Sequence, residues 1–304
     1  RSLRYSAHFN LFGASSVDDH GKFLYANYIA GVPFVTDPNF IAEIKKIVAD
    51  YRIDAIYPAM DSVITTLSQH AEELGCKVVC SPVETTEICL SKSKTYKALQ
   101  AVVKTPRVYT SSNIDRYPVF AKPDIGYGSR GAKLITDKET LASHLRDYPT
   151  CILVEYLPGK EYTVDCFTDR HGKLLFVGPR ERRRINNGIS VNTIPVEESK
   201  EVFFDIAKRI NETIPFTGAW FVQLKKSADG ELVVMEIASR LGGSSSVFRN
   251  LGVNFALLSL FTAFDVDVDI IQNSYSIELD RSLDSAFKLD IDYNEVFVDF
   301  DDCV

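Results

Sequence analysis

Apolar positions in the first 85 residues follow two alternating rhythms. Short apolar runs at 11–16 (LFGASS), 55–60 (AIYPAM) and 77–81 (KVVCS) read as buried parallel strands. Among them, apolar residues recur at helical spacing: Ile41, Ile44, Ile47 and Val48 over 40–51, then Ile64, Leu67 and Ala71 over 62–74. Strand and helix in alternation predict a doubly wound α/β unit. The opening RSLRYSAHF reads as helix or loop, so a leading strand and its glycine turn are expected ahead of residue 1.

The pattern then changes. A helix over 92–102 runs into a Thr105-Pro106 break, followed by strands at 118–123, 132–136, 151–157, 161–168 and 173–180. A helix at 199–212 precedes strands at 217–226 and 231–238. Sheets with helices set between them indicate an α+β architecture.

The segment WFVQLKKSADGELVVMEIASR carries the most local geometry. Asp229-Gly230 signals a two-residue hairpin turn. That turn places Gln223 directly opposite Glu236, with Cβ atoms ~5 Å apart on one face. An amide oxygen beside a carboxylate is a hard-oxygen pair suited to Mg²⁺, and the apolar neighbours make an unliganded acid there costly. Arg240 follows, then the small-residue loop Gly242, Gly243, Ser244, which lets an anion approach the backbone. Alone, such a loop is equally a flexible connector.

A second glycine segment, VFAKPDIGYGSRGAKLI, is a strand ending near Lys122, a turn with Gly126, Gly128 and Gly131, and another strand. It matches neither a Walker loop nor a dinucleotide fingerprint; a phosphate-covering lid and an ordinary hairpin loop both fit it. In ILVEYLPGKEYTVDCF, main-chain groups at Glu155-Tyr156-Leu157 could read an adenine edge, and Glu161 could hold ribose hydroxyls or be a surface acid. In GPRERRRINNGIS, strand alternation sends Arg182 and Arg184 to one face and Arg183 to the other.

Composition narrows the class. The 304 residues are 45% hydrophobic and 25% charged, an ordinary globular balance. The net charge of −7 is uneven: residues 261–304 hold 12 acids against Arg281 and Lys288, leaving the rest at +3. No basic, aromatic-interleaved face points to nucleic acid. No apolar run approaches the ~18 residues of a membrane span and no signal-peptide pattern opens the chain, so a cytoplasmic protein is expected. Six cysteines without a CxxC and five scattered histidines argue against disulfides, a zinc site or a histidine-based triad.

Taken in order, these motifs resemble the ATP-grasp superfamily, nearest the branch of the carbamoyl-phosphate synthase large subunit and the biotin-carboxylase-like carboxylate–amine ligases. The resemblance spans about residues 1–270. It implies a Rossmann-like unit over 1–90, a small lobe with a glycine-rich lid over 91–157, a large lobe with the metal site over 158–275, and an acidic segment over 276–304. It further implies that Lys92 and Lys122 meet ATP phosphates, that Gly126, Gly128, Ser129, Arg130 and Gly131 form the lid, and that Glu155, Tyr156, Leu157 and Glu161 bind the nucleoside. Gln223 and Glu236 match the family's ligands for Mg²⁺ (or Mn²⁺), and Arg240 its catalytic arginine. Arg182, Arg184, Asn192, Gly242, Gly243 and Ser244 border the region where similar ligases hold the acceptor.

One departure stands out. The family commonly reads E-x-N-x-R, with the Asn as a further metal ligand, where this chain reads Glu236-Ile237-Ala238-Ser239-Arg240. Alanine cannot coordinate, so either Ser239 or water substitutes, or the second metal is held mainly by Glu236 and phosphates. The expected activity is ATP-dependent ligation of a small carboxylate to an amine through an acyl phosphate, by a protein that could form a homodimer. The alternatives are phosphorylation of bicarbonate or carbamate, and a non-catalytic ATP-binding lobe. At the chain's end, NEVFVDFDDCV resembles the first motif of haloacid-dehalogenase-type phosphatases, with Asp299 as nucleophile and Asp301 as acid/base; a further domain is expected to continue from it.

Overall fold

The computed structural model describes residues 2–126 and 128–282. The first third consists of β1 (Phe12–Ala14), β2 (Asn27–Ile29), α1 (Phe40–Tyr51), β3 (Ala55–Ile56), α2 (Asp61–Gln69), β4 (Lys77–Val78), α3 (Val83–Leu90) and α4 (Lys92–Leu99). The expected helices form, with α1 burying Phe40, Ile44 and Val48 on one face. The strands do not join into one doubly wound sheet. They form two parallel pairs, β1 with β2 and β3 with β4, because each strand is only two or three residues long.

Next comes a four-stranded antiparallel sheet of β5 (Val108–Tyr109), β6 (Val119–Pro123), β7 (Lys133–Ile135) and β8 (Cys151–Glu155), ordered β5-β8-β6-β7. Helix α5 (Lys138–Asp147) connects β7 to β8. Its start is fixed by Asp137, which accepts from the Thr140 amide at 2.7 Å.

The largest sheet holds β9 (Glu161–Thr168), β10 (Leu174–Asn186), β11 (Ile189–Pro195), β12 (Gly218–Lys226), β13 (Leu232–Ala238) and β14 (Leu279–Asp280), ordered β13-β12-β9-β10-β11-β14. Helices α6 (Lys200–Thr213), α7 (Ser246–Asn250) and α8 (Phe255–Ala263) complete it. Alternation divides the sheet's residues. Tyr162, Val164, Cys166, Val222, Leu224 and Ile237 pack with Phe203, Ala207 and Ile210 of α6. Glu161, Thr163, Asp165, Gln223, Glu236 and Arg180 take the opposite face by register. A strip of acids, amides and arginines therefore lines one side of an otherwise apolar sheet.

The first third is tied to this sheet at buried or half-buried points. Thr85 donates to the Pro215 carbonyl at 2.7 Å, and Ser81 both donates to the Thr217 carbonyl and accepts from its amide. Strand β14 falls within the segment expected to be an acidic tail, and it extends the large sheet instead. Asp299 and Asp301 lie outside the described residues.

Candidate active site

The facing pair anticipated from the sequence is present: Gln223 sits across from Glu236. The route to it differs from expectation. The loop is one residue longer than two, since Ser227 closes it by donating its amide to the Glu231 carbonyl at 2.9 Å. Pairs near the turn are accordingly shifted by one, with Leu224 opposite Val234. A bulge at Met235 restores the register one step later.

The bulge leaves Met235 without a cross-strand partner, and its carbonyl is used twice. Tyr96 of α4 donates its hydroxyl to it at 2.7 Å, and Lys122 of β6 donates its ammonium at 3.1 Å. The Lys122 ammonium also lies 5.4 Å from the centre of the Tyr96 ring. Burial pushes the lysine's pKa down to about 8, against the pull of nearby Glu236, while Lys92 adds to the lowering.

Lys92 opens α4, where Ser91 caps the helix by accepting from the Lys94 amide at 3.2 Å. Asp124, just past β6, holds this helix start: its carboxylate accepts from the Ser93 amide and the Ser91 hydroxyl, both at 2.7 Å. Lys92 donates its ammonium to the Asp124 carbonyl at 3.3 Å. Two lysines from different elements thus stand at the root of the glycine segment.

In that segment Gly128, Ser129 and Gly131 all have positive φ. It lies against the Asn187-Gly188 turn between β10 and β11: a Cβ built on Gly188 would fall 2.5 Å from Ser129 Oγ. The segment therefore reaches from the small sheet to the large one. Arg182 braces the same turn from below. Its guanidinium donates to the Gly188 carbonyl at 2.5 Å, to Gln223 Oε1 at 2.6 Å, and to Glu161.

Arg182 and Arg184 do not share a face. A bulge at Arg183 breaks the alternation, as Arg182 pairs with Thr193 and Arg184 with the adjacent Asn192. Arg184 is exposed and bridges both oxygens of Asp280 at 2.9 and 2.8 Å. Asn192 donates to Glu278 and Asp280 at 2.8 and 2.9 Å. Both residues fasten β14 and are directed away from the cleft. Arg180, the first arginine of the same segment, is buried and paired with the equally buried Asp165 at 2.6 Å. Gly242 packs on this pair so closely that a Cβ there would fall 2.6 Å from Asp165 Oδ1. Ser244 donates to the Ser190 carbonyl at 2.6 Å, and Gly243 lies beside Arg281.

Glu155 is partly committed: its amide donates to the Arg107 carbonyl at 2.9 Å and its carboxylate accepts from the Arg107 amide at 3.0 Å. Tyr156 is exposed and Leu157 buried. Glu161 is held by Arg182 and lies 3.7 Å from Lys225.

Arg240 points to the first third of the chain. Asp61, opening α2, receives it in bidentate fashion at 2.8 and 2.9 Å, and its guanidinium lies 5.3 Å from the Phe221 ring centre. A cavity of about 390 Å³ opens beside it, lined by Tyr57, Val79, Cys80, Ala219 and Ser259 among others. Burial raises the Tyr57 hydroxyl to about 12, opposed by its hydrogen bond with Ser259.

Glu236 has no hydrogen-bond or ion-pair partner among the described residues, although Lys122, Tyr96 and Arg182 all feel its charge. Such a carboxylate on a half-buried strand suits a hard cation. Among the described residues no three His, Cys, Asp or Glu side chains gather as a metal cage. Gln223 already gives its oxygen to Arg182. Ala238 and Ser239 are both buried.

Two sheets with a polar cleft between them, a glycine segment bridging it and lysines at its root define the arrangement. Among solved structures it is similar to the biotin carboxylase domain of the Hydrogenobacter thermophilus 2-oxoglutarate carboxylase, crystallised with MgADP, ADP and bicarbonate. The TM-score is 0.74 at 17% identity, over 86% of this chain and 65% of that one. The chain shares the fold of that biotin carboxylase domain. A family model described as ATP-grasp in the biosynthetic pathway with Ter operon matches residues 147–282. The 3-methyl-D-ornithine–L-lysine ligase of Methanosarcina acetivorans is 26% identical over 250 residues, 81% of this chain. The D-alanine–D-alanine ligase of Fusobacterium nucleatum is 28% identical over 180 residues, 56% of this chain. The matched regions are 64% and 62% of those ligases' own lengths, under two thirds of each. No described helix is long and apolar enough to cross a membrane.

Proposed function

We propose that this chain is an ATP-dependent ligase joining a small carboxylate to an amine through an acyl phosphate, in the cytoplasm. The observation that carries the reading is the unpartnered Glu236, which faces Gln223 on the polar side of the large sheet beside the Met235 carbonyl that receives the buried Lys122. The likeness to two amino-acid ligases supports an amine rather than bicarbonate as the final acceptor.

ATP would lie between the sheets with its base at Tyr156 and Leu157 and its phosphates under the glycine segment. Lys92 and Lys122 would neutralise the phosphates, and Glu236 would hold the divalent cation, with phosphate oxygens as its other ligands. That cation, Mg²⁺ or Mn²⁺, supplies further charge neutralisation on the transferring group. The carboxylate substrate would enter the cavity beside Arg240, which is large enough for an amino acid. Its oxygen attacks the γ-phosphorus, the bond to ADP breaks, and Arg240 stabilises the equatorial charge. The amine nitrogen then attacks the acyl carbon, phosphate leaves, and the nitrogen loses a proton. Positioning and charge stabilisation suffice, with no covalent protein nucleophile.

The test is phosphate release from MgATP across pairs of amino acids, with amide products identified by mass. Glu236→Ala should lower turnover at least about a hundredfold, as expected for loss of a transition-state charge partner. Turnover that survives this substitution, or bicarbonate alone as the productive acceptor, would overturn the assignment.

A further inference from the structure

We propose that Tyr96 is a positioning residue for nucleotide binding, acting through the bulged carbonyl of Met235 to hold Lys122 in the place where ATP phosphates arrive. The inference rests on the reading of Lys122 as a phosphate ligand. Three observations carry it. Met235 is the one residue of β13 between Glu236 and Val234 that the ladder skips. Its carbonyl, released from pairing, receives the Tyr96 hydroxyl at 2.7 Å and the Lys122 ammonium at 3.1 Å. The ammonium also rests 5.4 Å from the Tyr96 ring centre, so both ends of the tyrosine side chain bear on it.

The arrangement solves a physical problem. A buried ammonium needs acceptors, and a carboxylate would bind it too firmly to give it up. A neutral carbonyl is a weaker partner that triphosphate oxygens can displace. Shared between two donors, that carbonyl is fixed in direction, and the lysine ammonium is held in place before any ligand is present. Burial keeps the tyrosine hydroxyl protonated, as do the charges of Glu236 and Asp124, so it remains a donor at every working pH. Tyr96 also belongs to the helix that Lys92 opens, so one side chain links both lysines to the strand bearing Glu236.

The experiment is direct titration of a non-hydrolysable ATP analogue into five proteins: parent, Tyr96→Phe, Tyr96→Leu, Lys122→Met and the Tyr96→Phe/Lys122→Met double variant. Tyr96→Phe keeps the ring and should weaken binding about three- to tenfold, the range of one lost hydrogen bond. Tyr96→Leu, which also removes the ring face, should weaken it further by about two- to fivefold. In steady state the KM for ATP should rise while kcat and the acceptor KM change by less than about twofold. In the Lys122→Met background, Tyr96→Phe should add no further loss, because the tyrosine acts through the lysine. Unchanged affinity in Tyr96→Phe, or an equal loss in both backgrounds, overturns the proposal. Unchanged affinity in Lys122→Met instead overturns the phosphate-ligand reading beneath it, so the two failures are distinguishable.

Discussion

Lys122 holds a charge at a buried position. Its side chain is 7% exposed, and its one hydrogen-bond acceptor among the described residues is the Met235 carbonyl. Burial lowers its pKa from 10.5 to about 8. The unfolded lysine therefore keeps its proton over a pH range where the folded one has lost it, and stability rises with pH between those two values. Below about 8 both states are protonated, and a penalty on the order of 3 kcal/mol applies at ~1.4 kcal/mol per pH unit. Lys122→Met preserves the volume without the charge. It should be about 1–3 kcal/mol more stable than the parent at pH 7, with the difference shrinking toward pH 10. Urea melts at both pH values read this directly. A variant less stable than the parent at pH 7 would show that the Met235 bond outweighs the burial cost.

At the scale of elements, bulges separate what the sequence disclosed from what it withheld. Periodicity located α1 to the residue and most strands of the two antiparallel sheets to within a residue or two, because long amphipathic segments carry their own signal. The facing of Gln223 and Glu236 was legible for an incomplete reason: the longer turn and the Met235 bulge each shift the register by one and cancel. The bulge at Arg183 is compensated only past Arg184, where the ladder skips Val191, so alternation misassigned Arg184. Bulges follow from tertiary contacts, here Tyr96 and Lys122 on one and β11 on the other, and a single sequence does not display them. Strands as short as β5 and β14 escaped notice because two residues have no period. The partnership of Arg240 with Asp61 spans 179 positions, and no local pattern encodes it. The Asn187-Gly188 turn offers a test at this scale. Gly188 has a φ of +75° and abuts Ser129, so Gly188→Ala should cost about 1 kcal/mol in backbone strain and unseat the glycine segment. Trypsin should then cut after Arg130 faster than in the parent. Equal cleavage rates would mean that the turn does not support the segment.

Across the whole molecule, charge is distributed differently from the picture of a neutral body with an acidic tail. Four of the five described acids after residue 261 serve as counter-charges to the body. Asp265 pairs with Lys77 at 2.8 Å, Asp267 with Arg170 at 2.7 Å, Glu278 with Arg183 at 3.5 Å and Asp280 with Arg184 at 2.8 Å. Each such pair is half-exposed and individually weak. Order in this segment comes from Val268, Ile270, Ile277 and Leu279 packing on the cluster of Phe167, Phe176 and Phe248, from β14 pairing with β11, and from Asn192, which is 9% exposed and donates to both Glu278 and Asp280. Hydrogen bonds from a buried amide to carboxylates are charge-assisted and worth more than the surface pairs around them. Asn192→Ala should therefore lower stability by about 1–3 kcal/mol, seen as a reduced urea midpoint, and expose residues 264–282 to protease. Because Asn192 faces the strand rather than the cleft, the KM values for ATP and for the acceptor should stay within about twofold of the parent. A raised acceptor KM at unchanged stability would return Asn192 to the substrate pocket and leave β14 held by its ion pairs.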